Sequence, residues 1–277
     1  MSTLNSSSTN SNGARQGSCT LVGAGPGDPE LLTLKAVKAI KAATVLMVDD
    51  LVNEAVLKYA SSSARVVFVG KRGGCKSTPQ AFIEKLMIHA VQEGETVVRL
   101  KGGDPFIFGR GGEEVEHLRE AGIEVTIING ITSGLAALTS LGAPLTHREH
   151  AHGVVFVTGH AKHGDNGTDW RKLAATARDA KLTMVIYMGV SGAEMIQSEL
   201  LTELPADTPV ALIENASLPQ QRQALTQLGQ LTHTLNETGM KSPSILVVGD
   251  VVKACAQIFQ NSQIDPTAPT LPLHANM

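Results

Sequence analysis

Residues 101–114 read Lys-Gly-Gly-Asp-Pro-Phe-Ile-Phe-Gly-Arg-Gly-Gly-Glu-Glu and follow an apolar run at 96–100 that is typical of a buried strand. Gly102 and Gly103 leave the main chain bare where it emerges from that strand, so a flat ligand can lie against the backbone and a positive φ costs little. Asp104 adds a carboxylate, which only accepts hydrogen bonds when ionised. A surface turn needs one or two glycines, whereas this stretch has five. We therefore interpret it as a ligand site at the carboxyl end of a strand.

Apolar runs alternate with helical patterns on both sides of this stretch. The runs lie at 18–22, 44–48, 65–69, 96–100 and 124–128. This alternation predicts a mostly parallel five-stranded sheet covered on both faces. Right-handed crossovers then place all five strand ends on one rim. That rim is expected to collect the Gly23 loop, Asp49, Lys71, the Gly102 loop and Thr132-Ser133.

A second unit of strands and helices follows a connector at 142–148. Its strands are predicted at 154–157, 183–187, 209–213, 222–228 (an edge strand) and 244–248, and their close spacing after 209 indicates a mixed sheet. The predicted fold is two α/β domains, 17–145 and 146–262, the first with a mostly parallel five-stranded sheet and the second with a mixed sheet. A Ser/Asn-rich disordered tail at 1–16 and a loose proline-containing tail at 263–277 flank them.

Helix patterns are predicted at 29–43, 53–60, 113–121, 170–180, 191–201 and 251–259. Two further helices are predicted, one that begins at Thr78-Pro79 and one that follows Ser133-Gly134 and ends at Leu141. Asp28 would cap the first of these helices, with Pro29 in its first turn. No element is assigned between the edge strand and the last strand.

Composition limits the function classes. The net charge of −3 and the 3% aromatic content argue against a nucleic-acid surface. Three widely spaced cysteines suggest neither a zinc site nor a disulfide framework. No apolar run approaches the ~20 residues of a membrane helix, and the N-terminus has no signal-peptide pattern. We expect a cytoplasmic protein with a small-molecule partner and neither a nucleic-acid nor a membrane partner.

The loop Gly23-Ala-Gly-Pro-Gly-Asp28 is not a dinucleotide fingerprint, because Asp28 stands where the third glycine is required. Pro26 also lacks the amide that could bind a phosphate. A Walker loop fails as well, since Cys75 precedes Lys76-Ser77. A ligand with an adenosine and no phosphate suits these loops, and S-adenosylmethionine fits that description.

Asp49 and Asp50 end the second predicted strand. One carboxylate could act as a base, with its pKa raised by its like-charged neighbour, or the pair could cap the following turn. Lys71 and Arg72 either bind an anion or form a solvated surface pair.

Five of the nine histidines fall at 147–163. Their spacing matches no metal motif, so we expect no metal. With Arg148 they more plausibly face an acidic ligand.

These motifs together resemble the tetrapyrrole methylase family, and within it the uroporphyrinogen-III C-methyltransferases. The resemblance covers about 18–259. It rests on the segments Val22–Lys35, Val69–Arg72, Arg99–Glu114, Gly130–Ser133, Pro144–Arg148, Thr158–His160, Tyr187–Gly189 and Pro243–Ser244.

The resemblance implies a homodimeric enzyme with its active site in the cleft between the two α/β domains. It implies the transfer of two methyl groups from S-adenosylmethionine to uroporphyrinogen III, at C2 and C7. The products would be S-adenosylhomocysteine and precorrin-2, for sirohaem and cobalamin biosynthesis. It implies that Asp49 is the proton acceptor and Lys71 the proton donor, and that Arg110, Arg148 and His160 bind the substrate. The implied cofactor contacts are Pro26, Gly102, Gly103, Asp104, Ile107, Thr132, Ser133, Met188, Ala216 and Ser244.

The chain departs from the family pattern in two places. Val48 stands where relatives often have Tyr, which puts one substrate contact in doubt, and Ala216 replaces a frequent glycine. We expect the stand-alone enzyme rather than a fused sirohaem synthase.

Other functions remain as alternatives: a methylase of a later precorrin or of ribosomal RNA, a nucleotide-dependent oxidoreductase, or a non-catalytic binding module. The charge and aromatic content oppose RNA, and the missing third glycine opposes the oxidoreductase.

Overall fold

The computed structural model describes residues 17–70, 78–160 and 167–253. The first half contains five parallel strands in the order β3-β2-β4-β1-β5. Their bounds are β1 Ser18–Gly23, β2 Val45–Val48, β3 Arg65–Phe68, β4 Thr96–Lys101 and β5 Val125–Ile128. The predicted parallel sheet is therefore confirmed.

Helices cover both faces of this sheet. Helix α1 (Leu34–Ala42) packs on one face through Ile40, while α2 (Gln80–Gln92) and α3 (Gly111–Glu120) pack on the other. Successive strand residues point to opposite faces: Leu21 lies in the core under α2 and α3, and Val22 lies in the core under α1. Burial on both faces explains why the strands read as continuous apolar runs.

The order of the strands creates a crevice between β1 and β4. The chain leaving β1 crosses to β2 on one side, whereas the chain leaving β4 crosses to β5 on the other. Two adjacent strands with connections in opposite directions form a topological switch point. In open α/β sheets, ligands bind at the carboxyl ends of the strands at such a point.

The second half forms a mixed sheet in the order β6-β7-β10-β8-β9. Only β6 and β7 pair in parallel, and β9 lies at an edge as predicted. The bounds are β6 Gly153–Thr158, β7 Leu182–Tyr187, β8 Pro209–Glu214, β9 Arg222–Gln227 and β10 Ser244–Val248. The described half thus agrees with the predicted mixed α/β domain.

Two layers of helices enclose the second sheet. On one face lie α5 (Trp170–Asp179), α6 (Ala193–Leu200) and α7 (Leu231–Thr238). The other face is covered by α4 (Ser133–Thr139), whose Ala137 and Leu138 are fully buried against residues of β7, β8 and β10. Helix α4 follows β5 in sequence but packs in the second core. The predicted domain boundary at 145/146 stays a prediction, and α4 lies before it.

Three helix predictions need correction. The helix predicted at 29–43 is two pieces: a 3-10 turn, Pro29–Leu31, and α1, which begins after Thr33 because the Thr33 side chain accepts a hydrogen bond from Ala36 N. The segment Glu54–Tyr59 is a 3-10 helix. Helix α3 begins at Gly111 rather than Glu113, since Arg110 takes the left-handed conformation and occupies the N-cap.

Helix α7 was not predicted. Its buried residues Leu231 and Leu235 have helical spacing, and Gly239 ends it in the left-handed conformation. The helix predicted at 251–259 and both predicted tails lie largely or wholly outside the described residues. Across the described ranges, the longest helices are too short and too polar to cross a bilayer.

The docking of α4 on the second sheet predicts unequal effects of two leucines on that helix. Leu138→Ala should lower the free energy of unfolding by about 2–5 kcal/mol, because a fully buried side chain is removed. Leu135→Ala, at 45% exposure, should change it by less than about 0.5 kcal/mol. Urea denaturation followed by circular dichroism measures both. Equal effects would contradict the packing described here.

Candidate active site

The loops after β1 and β4 pair with each other through their backbones. Gly25 N donates to Gly103 O at 3.2 Å, Gly103 N donates to Gly25 O at 2.7 Å, and Ala24 N donates to Lys101 O at 2.8 Å. Gly25 and Gly103 both have positive φ, +76° and +66°, which glycine adopts without strain. The predicted glycine loops therefore meet at the crevice between β1 and β4.

The loop after β5 packs against the same two loops. A Cβ atom on Gly130 would collide with the Gly103 carbonyl oxygen, and one on Gly23 would collide with the backbone of Gly130. Three loops from three strands thus approach at backbone distance, which explains why glycine occurs at these positions.

Asp104 holds the loops after β4 and β5 in place. Its Oδ1 accepts a hydrogen bond from Phe106 N at 2.8 Å, and its Oδ2 accepts from Gly130 N at 3.1 Å and from Asn129 Nδ2 at 3.2 Å. The residue is only 6% exposed. The carboxylate is directed at its own loops, so its sequence-predicted role as a cofactor contact stays a prediction.

Tyr187, the last residue of β7, joins the second sheet to this region. Its hydroxyl lies 2.7 Å from Thr132 Oγ1 and accepts a hydrogen bond from Gly134 N at 2.8 Å. Burial raises the pKa of the Tyr187 phenol, so it stays protonated. The ring packs between Phe108, at a centroid distance of 4.9 Å, and Phe156, at 5.9 Å.

The remaining predicted cofactor residues of the second sheet lie on the same edge as Tyr187. Met188 follows Tyr187 with φ +54° and is 45% exposed. Ala216 follows β8, and the adjacent Ser217 Oγ accepts from Asp28 N at 3.1 Å. Ser244 begins β10, which runs antiparallel to β7 and β8, and is paired with Glu214. Strand direction therefore brings the ends of β7 and β8 and the start of β10 together.

Asp49 and Arg110 lie on the carboxyl edge of the first sheet. Asp49 follows β2, next to β4, and its side chain is 35% exposed. Arg110 precedes α3 and pairs with Glu113 through Nε at 3.0 Å and Nη2 at 2.5 Å. Its side chain is 55% exposed. Lys71, the predicted proton donor, lies outside the described residues.

Arg148 lies away from the other predicted substrate residues. Its turn is held by Thr183 Oγ1, which donates to Leu145 O at 2.8 Å, and by His152 N, which donates to Lys181 O at 2.8 Å. Both contacts are at the beginning of β7, whereas Met188 follows its end, roughly 17–20 Å away at the rise of a strand. The turn lines a depression of about 450 Å³ with His147 and His152. By contrast, His160 follows the end of β6, on the same side as Met188.

His147, Glu149 and His150 form a group whose ligand atoms lie within 4.8 Å of one another at the surface. His147 Nδ1 already accepts a hydrogen bond from Glu149 N at 3.2 Å, and the two imidazole rings stack at 4.7 Å. The expectation that the protein needs no metal stays a prediction.

Sequence reasoning missed two functional features. Tyr187 is predicted only as the end of a strand and as part of the segment Tyr187–Gly189, although a tyrosine that ends a buried strand needs a partner for its hydroxyl. Arg99 and Lys101 lie in the apolar β4 and are each 2% exposed. Two basic residues inside a buried strand were a signal of an ionic cluster.

The fold and these contacts define a two-domain α/β protein in which loops at the edges of both sheets meet. The family described as tetrapyrrole (corrin/porphyrin) methylases matches residues 18–232. The chain therefore belongs to the tetrapyrrole methylase family, and the predicted family and fold are confirmed.

The chain is also similar to individual members. It is 52% identical over 238 residues to a uroporphyrinogen-III C-methyltransferase of Pseudomonas aeruginosa. The aligned residues make up 86% of this chain and 95% of that protein. It is 47% identical to siroheme synthase 1 of Aeromonas hydrophila over 86% of this chain but only 50% of that protein. A uroporphyrin-III C-methyl transferase of Thermus thermophilus, crystallised with S-adenyl homocysteine, has a TM-score of 0.73 and 39% identity, covering 86% of this chain and 99% of that chain.

The Tyr187 contacts predict that this hydroxyl stabilises the junction of the sheets. Tyr187→Phe should lower the free energy of unfolding by about 1–3 kcal/mol, because Gly134 N–H loses its buried acceptor. Tyr59→Phe is the matched control, since it keeps a ring beneath Lys58 Nζ at 5.1 Å. Urea unfolding measures both variants. A Tyr187→Phe protein as stable as the control would show that the hydroxyl contributes nothing.

Proposed function

We propose that this protein transfers two methyl groups from S-adenosylmethionine to uroporphyrinogen III, at C2 and C7, giving precorrin-2. The observation that carries this proposal is the meeting of glycine loops at the β1/β4 crevice, without a phosphate-binding fingerprint, in a chain of this family. Precorrin-2 leads toward sirohaem and cobalamin. A methylase of a later precorrin is not favoured, because the Pseudomonas aeruginosa relative at 52% identity is named for uroporphyrinogen III.

The residues at the crevice fit S-adenosylmethionine. None of the ten predicted contact residues is basic, which suits a ligand without phosphate. Positive φ at Gly25 and Gly103 exposes backbone for close approach, and Asp104 contributes a buried negative charge near a cationic ligand. When bound, S-adenosylmethionine supplies an electrophilic sulfonium methyl group.

The contact residues proposed for this ligand lie on both sheets. From the first sheet and its following loops they are Pro26, Gly102, Gly103, Asp104, Ile107, Thr132 and Ser133, and from the second they are Met188, Ala216 and Ser244. Because both sheets contribute, their relative placement sets the distance between the methyl donor and the attacking carbon.

Asp49 is the proposed proton acceptor. A pyrrole carbon of the porphyrinogen forms a bond to the methyl carbon while the carbon–sulfur bond breaks, and S-adenosylhomocysteine leaves. The protein must then receive the proton lost from the macrocycle, and Asp49 offers a partly exposed carboxylate at the edge next to β4. Lys71 is the proposed proton donor and lies outside the described residues.

Cationic side chains are proposed to bind the substrate carboxylates. Arg110 and His160 lie on the edges that hold the proposed cofactor residues. Arg110 would exchange its exposed pairing with Glu113 for a substrate carboxylate, an exchange that costs little at the surface. Arg148 was also predicted to bind substrate, but its place at the far end of β7 does not support a contact in the same pocket. A homodimer and a cytoplasmic location are also proposals and rest on the resemblance.

Anaerobic incubation with S-adenosylmethionine and enzymatically generated uroporphyrinogen III tests the function. Mass spectrometry should detect a product heavier by two methyl groups, together with S-adenosylhomocysteine. Asp49→Asn tests the assigned base and should slow product formation by about 10²–10⁴-fold. If the wild-type protein gives no methylated product, the proposed function is wrong. If wild type and Asp49→Asn have equal rates, Asp49 is not the base.

The contacts of Asp104 predict its effect on cofactor binding. Asp104→Asn keeps the shape of the side chain but turns an NH₂ group toward Gly130 N or Phe106 N, which are both donors. Both this variant and Asp104→Ala should raise the Kd for S-adenosylhomocysteine by roughly 5- to 150-fold, since a lost buried acceptor costs about 1–3 kcal/mol. Isothermal titration calorimetry measures the Kd.

Asp207→Ala, in the exposed turn before β8, is the control and should bind as wild type does. An unchanged Kd for Asp104→Asn would show that the clamp formed by the carboxylate does not support the cofactor site.

A further inference from the structure

Three ionic side chains are buried together beneath the carboxyl edge of the first sheet. Arg99 and Lys101 of β4 are each 2% exposed, and Glu114 of α3 is fully buried. Removing such groups from water costs several kcal/mol per ion before pairing, and an apolar cluster of similar volume is often at least as stable. Stability alone therefore does not account for this cluster.

Glu114 holds Arg99 from one side. Its Oε1 accepts from Arg99 Nε at 3.2 Å, from Lys101 Nζ at 3.0 Å and from Gln80 Nε2 at 3.0 Å. Within the described ranges its buried Oε2 has no hydrogen-bond partner. The hydrogen bond from Nε to Glu114 fixes the guanidinium plane of Arg99, so that Nη1 and Nη2 are left for other partners.

The outer nitrogens of Arg99 reach β2 and Asp49. Nη1 donates to Leu100 O at 3.2 Å and to Met47 O at 3.4 Å, and Nη2 lies 3.6 Å from Asp49 Oδ1. Met47 is paired with Arg99 in the sheet, and Asp49 follows two residues later on the same face. Asp49 N also donates to Leu100 O at 3.1 Å, so its backbone is fixed to β4.

Asp49 completes the charges of this cluster. Arg99 cannot lose its proton in a protein, whereas burial and the neighbouring Arg99 lower the pKa of Lys101. The side chains of Arg99 and Lys101 face the carboxylates of Glu114 and Asp49. At 35% exposure, Asp49 is the most accessible of the four ionic side chains. A permanent cation thus stands behind the one carboxylate that a ligand can reach.

We propose that Arg99 is a positioning residue: held by Glu114, its guanidinium fixes the Asp49 carboxylate where it takes up the proton released by the methylated macrocycle. This inference rests on the proposed function, because Asp49 is assigned as the base there. Arg99 itself contacts neither substrate nor cofactor.

A double-mutant cycle with Asp49 tests the inference. Arg99→Met should lower kcat by roughly 10- to 100-fold, part of the ~10²–10⁴-fold typical of general base catalysis, and change both KM values less than about 3-fold. In an Asp49→Asn background the same change should lower the residual rate by less than about 3-fold, since the group that Arg99 positions is already gone. Arg99→Lys should have a higher kcat than Arg99→Met but a lower kcat than the wild type. Its ammonium group keeps the positive charge but lacks the planar set of donors of the guanidinium.

Arg119→Met, at an exposed position of α3, is the matched control and should leave all constants unchanged. Circular dichroism and S-adenosylhomocysteine affinity report whether each variant is folded. If Arg99→Met does not fold, Arg99→Lys and the near-isosteric Glu114→Gln take its place in the cycle, with a smaller expected loss of kcat and the same lack of additivity.

The inference would be overturned if the loss of kcat in the double variant equalled the product of the losses in the two single variants. It would also be overturned if kcat were unchanged in every folded variant of Arg99 and Glu114. Either result would leave the proposed function intact. A wild-type protein that produces no methylated tetrapyrrole would instead overturn the function from which the inference starts.

Discussion

The backbone pairing of Gly25 with Gly103 is the contact on which the rest of the site depends. It joins the loops after β1 and β4, the two adjacent strands whose connections leave in opposite directions. Both residues have a positive φ that L side chains rarely adopt, so glycine favours the pairing. Once the loops are joined, Asp104 can reach the loop after β5, and Thr132 is delivered to the hydroxyl of Tyr187. The junction of the two sheets is therefore built outward from one short backbone contact.

Two kinds of chemistry lie next to each other on this edge. At the carboxyl ends of β1 and β4, loops meet through glycine backbone, and the Asp104 carboxylate accepts hydrogen bonds from those loops. The neighbouring ends of β2 and β4 instead carry the ionic cluster of Asp49, Arg99, Lys101 and Glu114. Residue 99 belongs to the strand whose end supplies Gly102 and Gly103, so a single strand supports both regions. The glycine loops and the ionic cluster thus lie side by side on one sheet.

The sequence predicted the parts of this architecture that local patterns determine. Apolar runs located the described strands other than β9, because strands buried on both faces leave continuous hydrophobic stretches. The polar β9, Arg222–Gln227, has no such run and was predicted as an edge strand. The glycine motif between Lys101 and Glu114 indicated a ligand site. Local patterns could not show that α4 packs in the second core, because its small residues fit either sheet. They also failed at Pro29–Ala42, where Thr33 stops one helical segment and caps the next, and at α7, whose leucine spacing was present but not used.

Arg148 and Ser244 show why residue type alone does not locate a site. Arg148 lies among histidines in sequence, which suggested a common anionic ligand, yet its turn is at the beginning of β7 while His160 follows the end of β6. Ser244 is unremarkable in sequence and starts a strand rather than ending one. Because β10 runs antiparallel to β8, the start of β10 nevertheless lies beside Glu214, one residue from the loop that carries Ala216. The direction of each strand, which a single sequence does not reveal, decides which side chains share an edge. Side chains that share an edge are the ones that can act on one ligand.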